Sequence, residues 1–441
     1  MPESERRKVA VIGAGWAGCA AAVELAGAGL AVSLFEANMT PGGRARRLTV
    51  DGMVFDNGQH ILLGAYENTL RMMKKVGTDP ALAFLRVPLQ ICYPQESSPV
   101  SFVASKLPAP FHLLGALFRA TGFKRADRLA LARFLTAARW MDWKLNTDCS
   151  VTTLLERFGQ TENLYNLLWH PICVSALNTL PDEASAQIFL NMLRDSIGAR
   201  RKASDMLVPC KDLSALFPDR AVEFVQRKGG RFFAGRTVRS VEPQSSKWRV
   251  DGELFDAVVM ATGADAASRL LRRHSDMSAF DALEGESIHT CYFGYSPDIR
   301  LSRPFYALKE DTADEKWGQF VFDRGWLDTR FAGTMAAVIS RSSSLPDIAR
   351  STLETKVSAQ LALAFNMPQL EHPLWSKTIS VHNATFICRP ALERPETRSG
   401  QPGLVFAGDY VRSDYAGTLE SAVQSGIIAA KCILSNNWFG N

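Results

Sequence analysis

Three glycines and one glutamate near the start of the chain have the types and spacing of a phosphate-binding turn. The sequence KVAVIGAGWAGCAAAVELAGAGLAVSLFEA predicts an apolar strand, a glycine-rich turn, a helix, a second strand and then Glu36. Gly13 permits the tight turn, Gly15 lets the backbone approach a pyrophosphate, and Gly18 lets the helix pack on the strand. The helix N-terminus attracts anions, and Glu36 can accept hydrogen bonds from a ribose. The predicted dinucleotide contacts are Gly13, Gly15, Trp16, Ala17, Gly18 and Glu36.

A second glycine pair indicates which dinucleotide binds. Five residues, ANMTP, separate Glu36 from Gly42, Gly43 and Arg44. An acid, a short spacer and GGR after the second strand is similar to the FAD-binding signature of the amine oxidase and phytoene desaturase superfamily. That resemblance implies FAD rather than NAD. It also implies that Arg44 lies along the pyrophosphate and that Arg46 assists in binding it.

Two later stretches resemble the remaining FAD contacts of that superfamily. GRTVRSVEP (235–243) and FDAVVMATGADAASRLL (255–271) look like the return of the chain to the nucleotide domain. GLVFAGDYVRSDYAGTLESAVQSGIIAAKCIL (403–434) predicts a strand, a glycine-aspartate pair and a second helix. The resemblance implies that the aspartate meets the ribityl chain or pyrophosphate and that the helix N-terminus faces the flavin, where reduction builds negative charge. The implied contacts are Val238, Thr262, Gly263, Gly408, Asp409, Thr418 and Leu419.

The stretch FDNGQHILLGAY (55–66) places an imidazole where a turn ends and apolar residues resume. In the superfamily the chain leaving this hairpin passes close to the isoalloxazine ring. That resemblance implies that Gly58 allows close approach and that Gln59 and His60 reach the ring or the substrate. The alternative is a packed histidine whose imidazole is satisfied by a backbone carbonyl.

Four longer stretches carry a closer resemblance. They are DNGQHILLGAY (56–66), LWHPICVSALNTLPDEASAQIFLNMLRDS (168–196), SDMLVPCKDLSALFPDRA (204–221) and GDYVRSDYAGTLESAVQSG (408–426). Together they resemble the hydroxysqualene dehydroxylases, also called squalene-associated FAD-dependent desaturases. The family implies a C30 isoprenoid substrate in bacterial squalene synthesis feeding hopanoids: hydroxysqualene, reduced flavin and a proton give squalene, water and oxidised flavin.

That chemistry needs a proton donor, because an allylic hydroxyl leaves as water and the resulting cation is quenched by hydride. It also needs exclusion of water and aromatic faces around the cation. We take His60 as the first candidate acid, Tyr415 as the second, and Glu420 as a third if it faces the pocket rather than capping a helix.

Other functions share parts of this pattern. A carotenoid-type desaturase would use the same motifs with the flavin running in the opposite redox direction. An amine oxidase would need an aromatic cage open to a polar amine, which a basic, apolar insert suits poorly. A prenyl-lipid escort protein would keep the fold without flavin chemistry, and the intact Glu36, Arg44 and Asp409 argue against it.

Length and composition predict the domain organisation of the chain. A chain of 441 residues with 46% hydrophobic and 22% charged residues exceeds the usual size of one core. We expect an α/β fold: a Rossmann-like FAD-binding domain (1–85, 210–275 and 385–441) with an inserted α+β substrate domain (86–209 and 276–384). The eight cysteines are scattered without a CxxC pair, so neither a disulfide framework nor a metal site is expected.

The net charge of +5 is concentrated in one segment. Residues 101–145 hold eight basic residues and two acidic ones, a surplus of +6, among apolar helical residues. This pattern favours an anionic membrane surface, with a solvated helical face as the alternative, and does not favour nucleic acid. No signal peptide or membrane span is recognisable. We therefore expect a cytoplasmic protein whose contact with the inner face of the membrane is this segment; no motif identifies its electron donor.

Overall fold

The structure is a computed structural model that describes residues 6–94, 100–105, 107 and 111–435. Within those ranges no helix combines the length and the hydropathy needed to cross a membrane.

The strands are β1 (Lys8–Ile12), β2 (Ala31–Phe35), β3 (Arg47–Val50), β4 (Met53–Asp56), β5 (Leu62–Leu63), β6 (Phe84–Val87), β7 (Gln90–Cys92), β8 (Ser101–Val103), β9 (Met206–Pro209), β10 (Arg231–Phe233), β11 (Val241–Gln244), β12 (Lys247–Val250), β13 (Glu253–Phe255), β14 (Ala257–Met260), β15 (Gly285–Gly294), β16 (Phe305–Ala307), β17 (Phe320–Asp323), β18 (Thr334–Ser340), β19 (Trp375–Phe386) and β20 (Leu404–Phe406). The helices are α1 (Trp16–Gly27), α2 (Glu67–Lys75), α3 (Pro80–Ala83), α4 (Phe111–Arg119), α5 (Arg125–Trp140), α6 (Val151–Arg157), α7 (Glu162–Leu164), α8 (His170–Leu177), α9 (Ala186–Ser196), α10 (Arg201–Ser204), α11 (Leu213–Leu216), α12 (Pro218–Arg227), α13 (Ala264–Leu271), α14 (Ser278–Asp281), α15 (Arg350–Phe365) and α16 (Leu419–Ser435).

A parallel sheet in the order β10-β2-β1-β14-β20 forms the centre of the nucleotide-binding half. Its middle strands are nearly continuous apolar runs, as expected for a sheet covered on both faces. Val9 and Val11 of β1 pack with α1, α12 and α16 on one face. Ala10 and Ile12 pack toward the antiparallel strands β11-β12-β13 on the other. The sheet places the turn after β1 and the chain after β14 side by side at its carboxyl edge.

The sheet draws its strands from all three segments expected to form the FAD-binding domain. The α/β class is therefore confirmed, while the domain boundaries stay a prediction.

A second, antiparallel sheet in the order β16-β17-β18-β15-β19 is formed by strands between residues 285 and 386. Cys291 and Phe293 on one face pack with Leu353 and Val357 of α15. Tyr292 on the opposite face packs with Phe55 of β4, so this face contacts the loop that carries His60.

Helices α5–α9 form an apolar layer interrupted by a π-helical turn at Tyr165–Trp169. The turn precedes Pro171, which has no N–H for the carbonyl of Leu167. The Tyr93 hydroxyl donates to that carbonyl at 3.2 Å. The proline and the external donor together account for the local change in helical hydrogen bonding, of a kind often found near functional sites.

Candidate active site

The first element of the site is the glycine turn after β1. The buried Glu36 carboxylate accepts a hydrogen bond from the Ala14 N–H at 2.9 Å through one oxygen. Its other oxygen accepts from the Asn38 N–H, also at 2.9 Å. A Cβ added at Gly18 would lie 1.8 Å from the Gly13 carbonyl oxygen, so only glycine permits this approach of helix to turn. Glu36 thus fixes the turn and lies at its edge, where a ribose would be recognised.

The N-terminus of α1 faces this turn without a side-chain cap, because its N-cap residue is Gly15. Orphan N–H groups at such a terminus are available to an anion. The buried Trp16 ring donates from Nε1 to the Ala45 carbonyl at 3.0 Å, which ties α1 to the GGR loop. Ala17 is also buried, and its carbonyl contacts α16 so closely that a Cβ at Gly426 would lie 2.1 Å away.

The GGR loop lies directly on the glycine turn. Gly42 donates its N–H to the Ala14 carbonyl at 2.8 Å. Gly43 has a φ of +62°, and a Cβ there would lie 3.0 Å from the Gly15 Cα. The close contact of the two backbones leaves no side chain between them, which allows the near approach of a pyrophosphate.

Arg44 connects this junction to the far end of the chain. Its Nη2 pairs with the Asp409 carboxylate, and its Nη1 donates to the Ala384 carbonyl at 2.8 Å. The Asp409 charge raises the pKa of Arg44. The preceding Gly408 N–H donates to Ser425 Oγ of α16 at 2.8 Å. The two residues expected to border the pyrophosphate and ribityl chain therefore lie in direct contact.

Arg394 organises the loop that contains Asp409, and no sequence motif indicates this role. Its buried guanidinium donates to five carbonyls of residues 409–415, at distances between 2.5 and 3.2 Å. It also stacks over Phe386, 4.6 Å from the ring centroid. Five charge-assisted bonds to one loop fix its path.

The expected contacts of the middle segments also border the turn. Arg236 donates its N–H to the Glu36 carbonyl at 2.8 Å, and the chain continues to the buried Val238. Thr262 and Gly263 follow β14 beside Gly13. A Cβ at Gly263 would meet no atom within 4 Å, so the space in front of it is open.

The loop after β4 packs on the GGR loop. Asn57 Nδ2 donates to the Arg44 carbonyl at 2.8 Å, and Gly58 has a φ of +92°. The half-buried His60 places Nδ1 3.0 Å from the Gly58 carbonyl, which can only accept, so Nδ1 carries the proton and Nε2 is free. Burial lowers the pKa of His60. Gln59 Oε1 is buried without a partner, as expected of a group that meets a ligand.

Tyr415, the second candidate acid, is engaged by other side chains. Its hydroxyl donates to the Asp195 carboxylate of α9. Arg194 donates to both Asp195 oxygens at 2.7 and 3.0 Å. Burial and the adjacent Asp195 carboxylate raise the pKa of Tyr415. The phenol proton is therefore committed to Asp195.

Glu420 does not fit the role of third candidate acid. Its buried carboxylate accepts from the N–H groups of Asn68 and Thr69 at 3.0 and 2.9 Å and from both of their side chains. These donors lie in the first turn of α2, so Glu420 caps that helix. Thr418 in turn caps α16, where Oγ1 accepts from the Ser421 N–H at 3.1 Å, and Leu419 opens the helix. The expectation for Glu420 is corrected accordingly.

Asp56 is a further titratable group beside this loop, which the sequence indicated only as part of a turn. Its carboxylate is 3% exposed and accepts the Leu213 N–H at 2.9 Å. Burial raises the pKa of Asp56 to about 6. Perturbed carboxyl groups of this kind concentrate at functional sites.

A comparison with protein families indicates which cofactor this backbone junction binds. The family model of flavin containing amine oxidoreductases matches residues 16–434. The chain belongs to this family. A flavin cofactor and an oxidoreductase activity follow from that membership, and the bare backbone junction, the open space at Gly263 and the unpartnered Gln59 oxygen fit a bound FAD.

Individual relatives are similar to this protein over nearly the whole of its chain. The chain is 27% identical to hydroxysqualene dehydroxylase of Rhodopseudomonas palustris, over 97% of this chain and 99% of that protein. It is 25% identical to hydroxysqualene dehydroxylase of Zymomonas mobilis, with the same coverage. Zeta-carotene desaturase of Zea mays is 24% identical over 95% of this chain and 82% of that protein. The resemblance to the hydroxysqualene dehydroxylases is thus confirmed.

Solved structures agree on the fold. A putative protoporphyrinogen oxidase from Exiguobacterium has a TM-score of 0.70 at 15% identity, covering 97% of this chain and 98% of that one. A putrescine oxidase bound to putrescine has a TM-score of 0.66 at 18% identity, covering 98% of this chain and 99% of that one.

We predict that Arg394→Met weakens FAD binding roughly 10- to 100-fold, because a lost hydrogen bond to a charged group costs about 1.5–3 kcal/mol. The dissociation constant of the apoprotein for FAD, measured by fluorescence titration, tests this. Arg412→Met is the matched control, because Arg412 lies in the same loop, is 73% exposed and pairs with Glu396 at the surface. Equal affinity of the two variants would contradict the assigned role of Arg394.

We predict that Asp56→Asn stabilises the protein at pH 8 and not at pH 4. The folded-state pKa of Asp56, about 6, lies above the unfolded value of about 3.8, so wild-type stability falls as pH rises through this window. Asparagine still accepts the Leu213 N–H but cannot ionise. The gain at pH 8 should be on the order of 2–3 kcal/mol. Urea unfolding of both proteins at the two pH values measures it, and a pH-independent difference would refute the buried-charge explanation.

Proposed function

We propose that this protein catalyses the FAD-dependent reductive removal of the hydroxyl group of hydroxysqualene, giving squalene for hopanoid synthesis. The observation that carries the proposal is the near-full-length likeness to hydroxysqualene dehydroxylases, combined with a backbone cradle suited to FAD. When bound, FAD in its reduced form would supply the hydride that replaces the hydroxyl group.

Three side chains are assigned to hold the cofactor. Glu36 would accept from the adenosine ribose, and Arg44 would border the pyrophosphate together with the α1 N-terminus. Asp409, held against Arg44, would border the ribityl chain. Arg394 acts one step further away, since it fixes the loop that presents Asp409.

His60 is assigned as the proton donor. An allylic hydroxyl leaves as water only when it is protonated, so the C–O bond breaks as the proton reaches its oxygen. His60 has Nε2 free to carry that proton, whereas the Tyr415 proton is held by Asp195. Burial around His60 also limits the water that would recapture a cation.

A carotenoid-type desaturase is the second candidate, favoured by the likeness to zeta-carotene desaturase. It would need oxidised rather than reduced flavin and would create double bonds instead of removing oxygen. The redox state of the cofactor that supports turnover therefore separates the two proposals.

The deciding experiment is an anaerobic incubation of the FAD-loaded protein with hydroxysqualene after photoreduction of the flavin. The proposal predicts squalene, identified by gas chromatography and mass spectrometry, and none with oxidised flavin. Phytoene or zeta-carotene converted by the oxidised protein, without conversion of hydroxysqualene, would establish the desaturase instead.

We predict that His60→Gln keeps FAD and slows turnover roughly 10²–10⁴-fold. Burial lowers the pKa of His60 below its usual 6.5. Wild-type kcat/KM should therefore rise as the pH falls from the neutral range toward this lowered pKa. The variant should lose this pH dependence. His382→Gln, at an exposed position of β19, is the control. Unchanged turnover and an unchanged pH profile in His60→Gln would leave His60 a structural residue.

A further inference from the structure

Helix α5 has two faces of opposite character. Leu131, Phe134 and Ala138 are buried and pack into the helical layer. The opposite side is exposed along its whole length and presents, in order, Arg125, Leu129, Arg133, Thr136, Arg139 and Trp140. At about 100° per residue these side chains lie within an arc of about 120°. One stripe of the helix therefore combines arginines with large apolar groups.

Three large apolar side chains on α4 and α5 are mostly exposed to solvent. Trp140 is 86% exposed, Leu129 is 64% exposed, and Phe118 at the end of α4 is 76% exposed. Arg128 ties α4 to α5 by donating to the Ala120 carbonyl at 2.8 Å and to the Phe118 carbonyl at 3.4 Å. Scattered exposed apolar residues are ordinary, but large ones on two tied helices suggest a contact surface. We name it the α4–α5 surface, comprising Phe118, Arg119, Arg125, Leu129, Arg133, Arg139 and Trp140.

The charge of the α4–α5 surface is uncompensated. In the described part of the chain no carboxylate forms an ion pair with Arg119, Arg125, Arg133 or Arg139. The acid within α5, Asp127, is buried and accepts from Thr161 and Asn163 on the inner side. Lys106, counted in the basic segment from the sequence, lies outside the described residues. The exposed Asp142 just beyond α5 pairs with Lys144 at 3.6 Å and not with these arginines. The stripe therefore presents aromatic rings beside four arginines that form no ion pair among the described residues.

We propose that the α4–α5 surface docks on an anionic lipid bilayer. The arginines would meet phosphate headgroups, while Trp140, Phe118 and Leu129 enter the boundary between headgroups and acyl chains. Charge complementarity selects this partner, because a stripe mixing unpaired arginines with aromatic rings matches a surface that is anionic outside and apolar beneath.

The residues on the inner side of α5 indicate that docking would serve substrate access, an inference that rests on the proposed function. Leu131 and Leu135 line an apolar cavity together with Ile91, Phe102 and Trp169. A single helix thus separates the docking stripe from an apolar interior. Docking through this stripe would bring the bilayer within the thickness of one helix of that interior, which would shorten the path of a C30 isoprenoid through water.

Flotation of the FAD-loaded protein with vesicles tests the docking directly. Wild type should bind vesicles of phosphatidylcholine with roughly 30–40% phosphatidylglycerol, whose anionic headgroups attract surface basic residues, and bind pure phosphatidylcholine far less. Binding should weaken with salt. The triple variant Arg125→Gln, Arg133→Gln, Arg139→Gln should bind about 100-fold more weakly, at roughly fivefold per basic residue. Trp140→Ser should also weaken binding.

The matched control removes three basic residues elsewhere, by Arg220→Gln, Arg227→Gln and Lys228→Gln, all at exposed positions. It should bind like wild type, and circular dichroism and flavin content should match wild type in every variant compared. Equal binding of the two triple variants, binding independent of lipid charge, or no binding of wild type to either vesicle would overturn the proposal; the last result would point to an acidic protein as partner.

Activity measurements keep this proposal separate from the proposed function. The α5 triple variant should convert detergent-dispersed hydroxysqualene at the wild-type rate and vesicle-embedded hydroxysqualene at least tenfold more slowly. If wild type converts neither form, the proposed function fails while the vesicle-binding result still decides the docking. Equal loss of both activities in the variant would overturn a role in substrate access.

Discussion

The contact between two backbone turns, together with the ion pair of Arg44 and Asp409, is the constraint on which the site depends. Gly43 lies against Gly15 without side chains between them, and Arg44 reaches across to a residue near the other end of the chain. The parallel sheet brings these segments to one edge, but it does not fix their distance. The hydrogen bond from the Gly42 N–H to the Ala14 carbonyl fixes the distance between the two turns. The ion pair and the Arg394 bonds fix the distance between the GGR loop and the Asp409 loop.

In the proposed reaction, proton supply and water exclusion make opposite demands on the loop after β4. Burial keeps out the water that would trap a cation, yet the same burial lowers the pKa of His60 and raises that of Asp56. A buried imidazole is charged only at lower pH, and once charged it is a strong acid. If His60 donates the proton, turnover should therefore slow at alkaline pH, because the burial that excludes water also disfavours the charged imidazole.

Those parts of the site that depend on local backbone conformation were predictable from sequence. Gly13, Gly15 and Gly18 encode a turn that few other residues permit, and Glu36 follows at a fixed distance along the strand. Arg394 could not be predicted, because its partners are carbonyl groups, which carry no sequence signal. For Glu420 the sequence left open whether it faces the pocket or caps a helix. The helix that it caps lies about 350 residues away in the chain, so only tertiary packing decides between the two.

The measurement that tests the account most directly is the FAD affinity of Arg44→Gln, Asp409→Asn and the double variant, each compared with wild type. If Arg44 and Asp409 act together in binding FAD, each single variant should weaken binding at least about tenfold, because it leaves a charged partner unpaired. The double variant should lose less than the product of the two single effects. Wild-type affinity in both single variants, or effects that multiply without coupling, would contradict a cofactor site built on this ion pair.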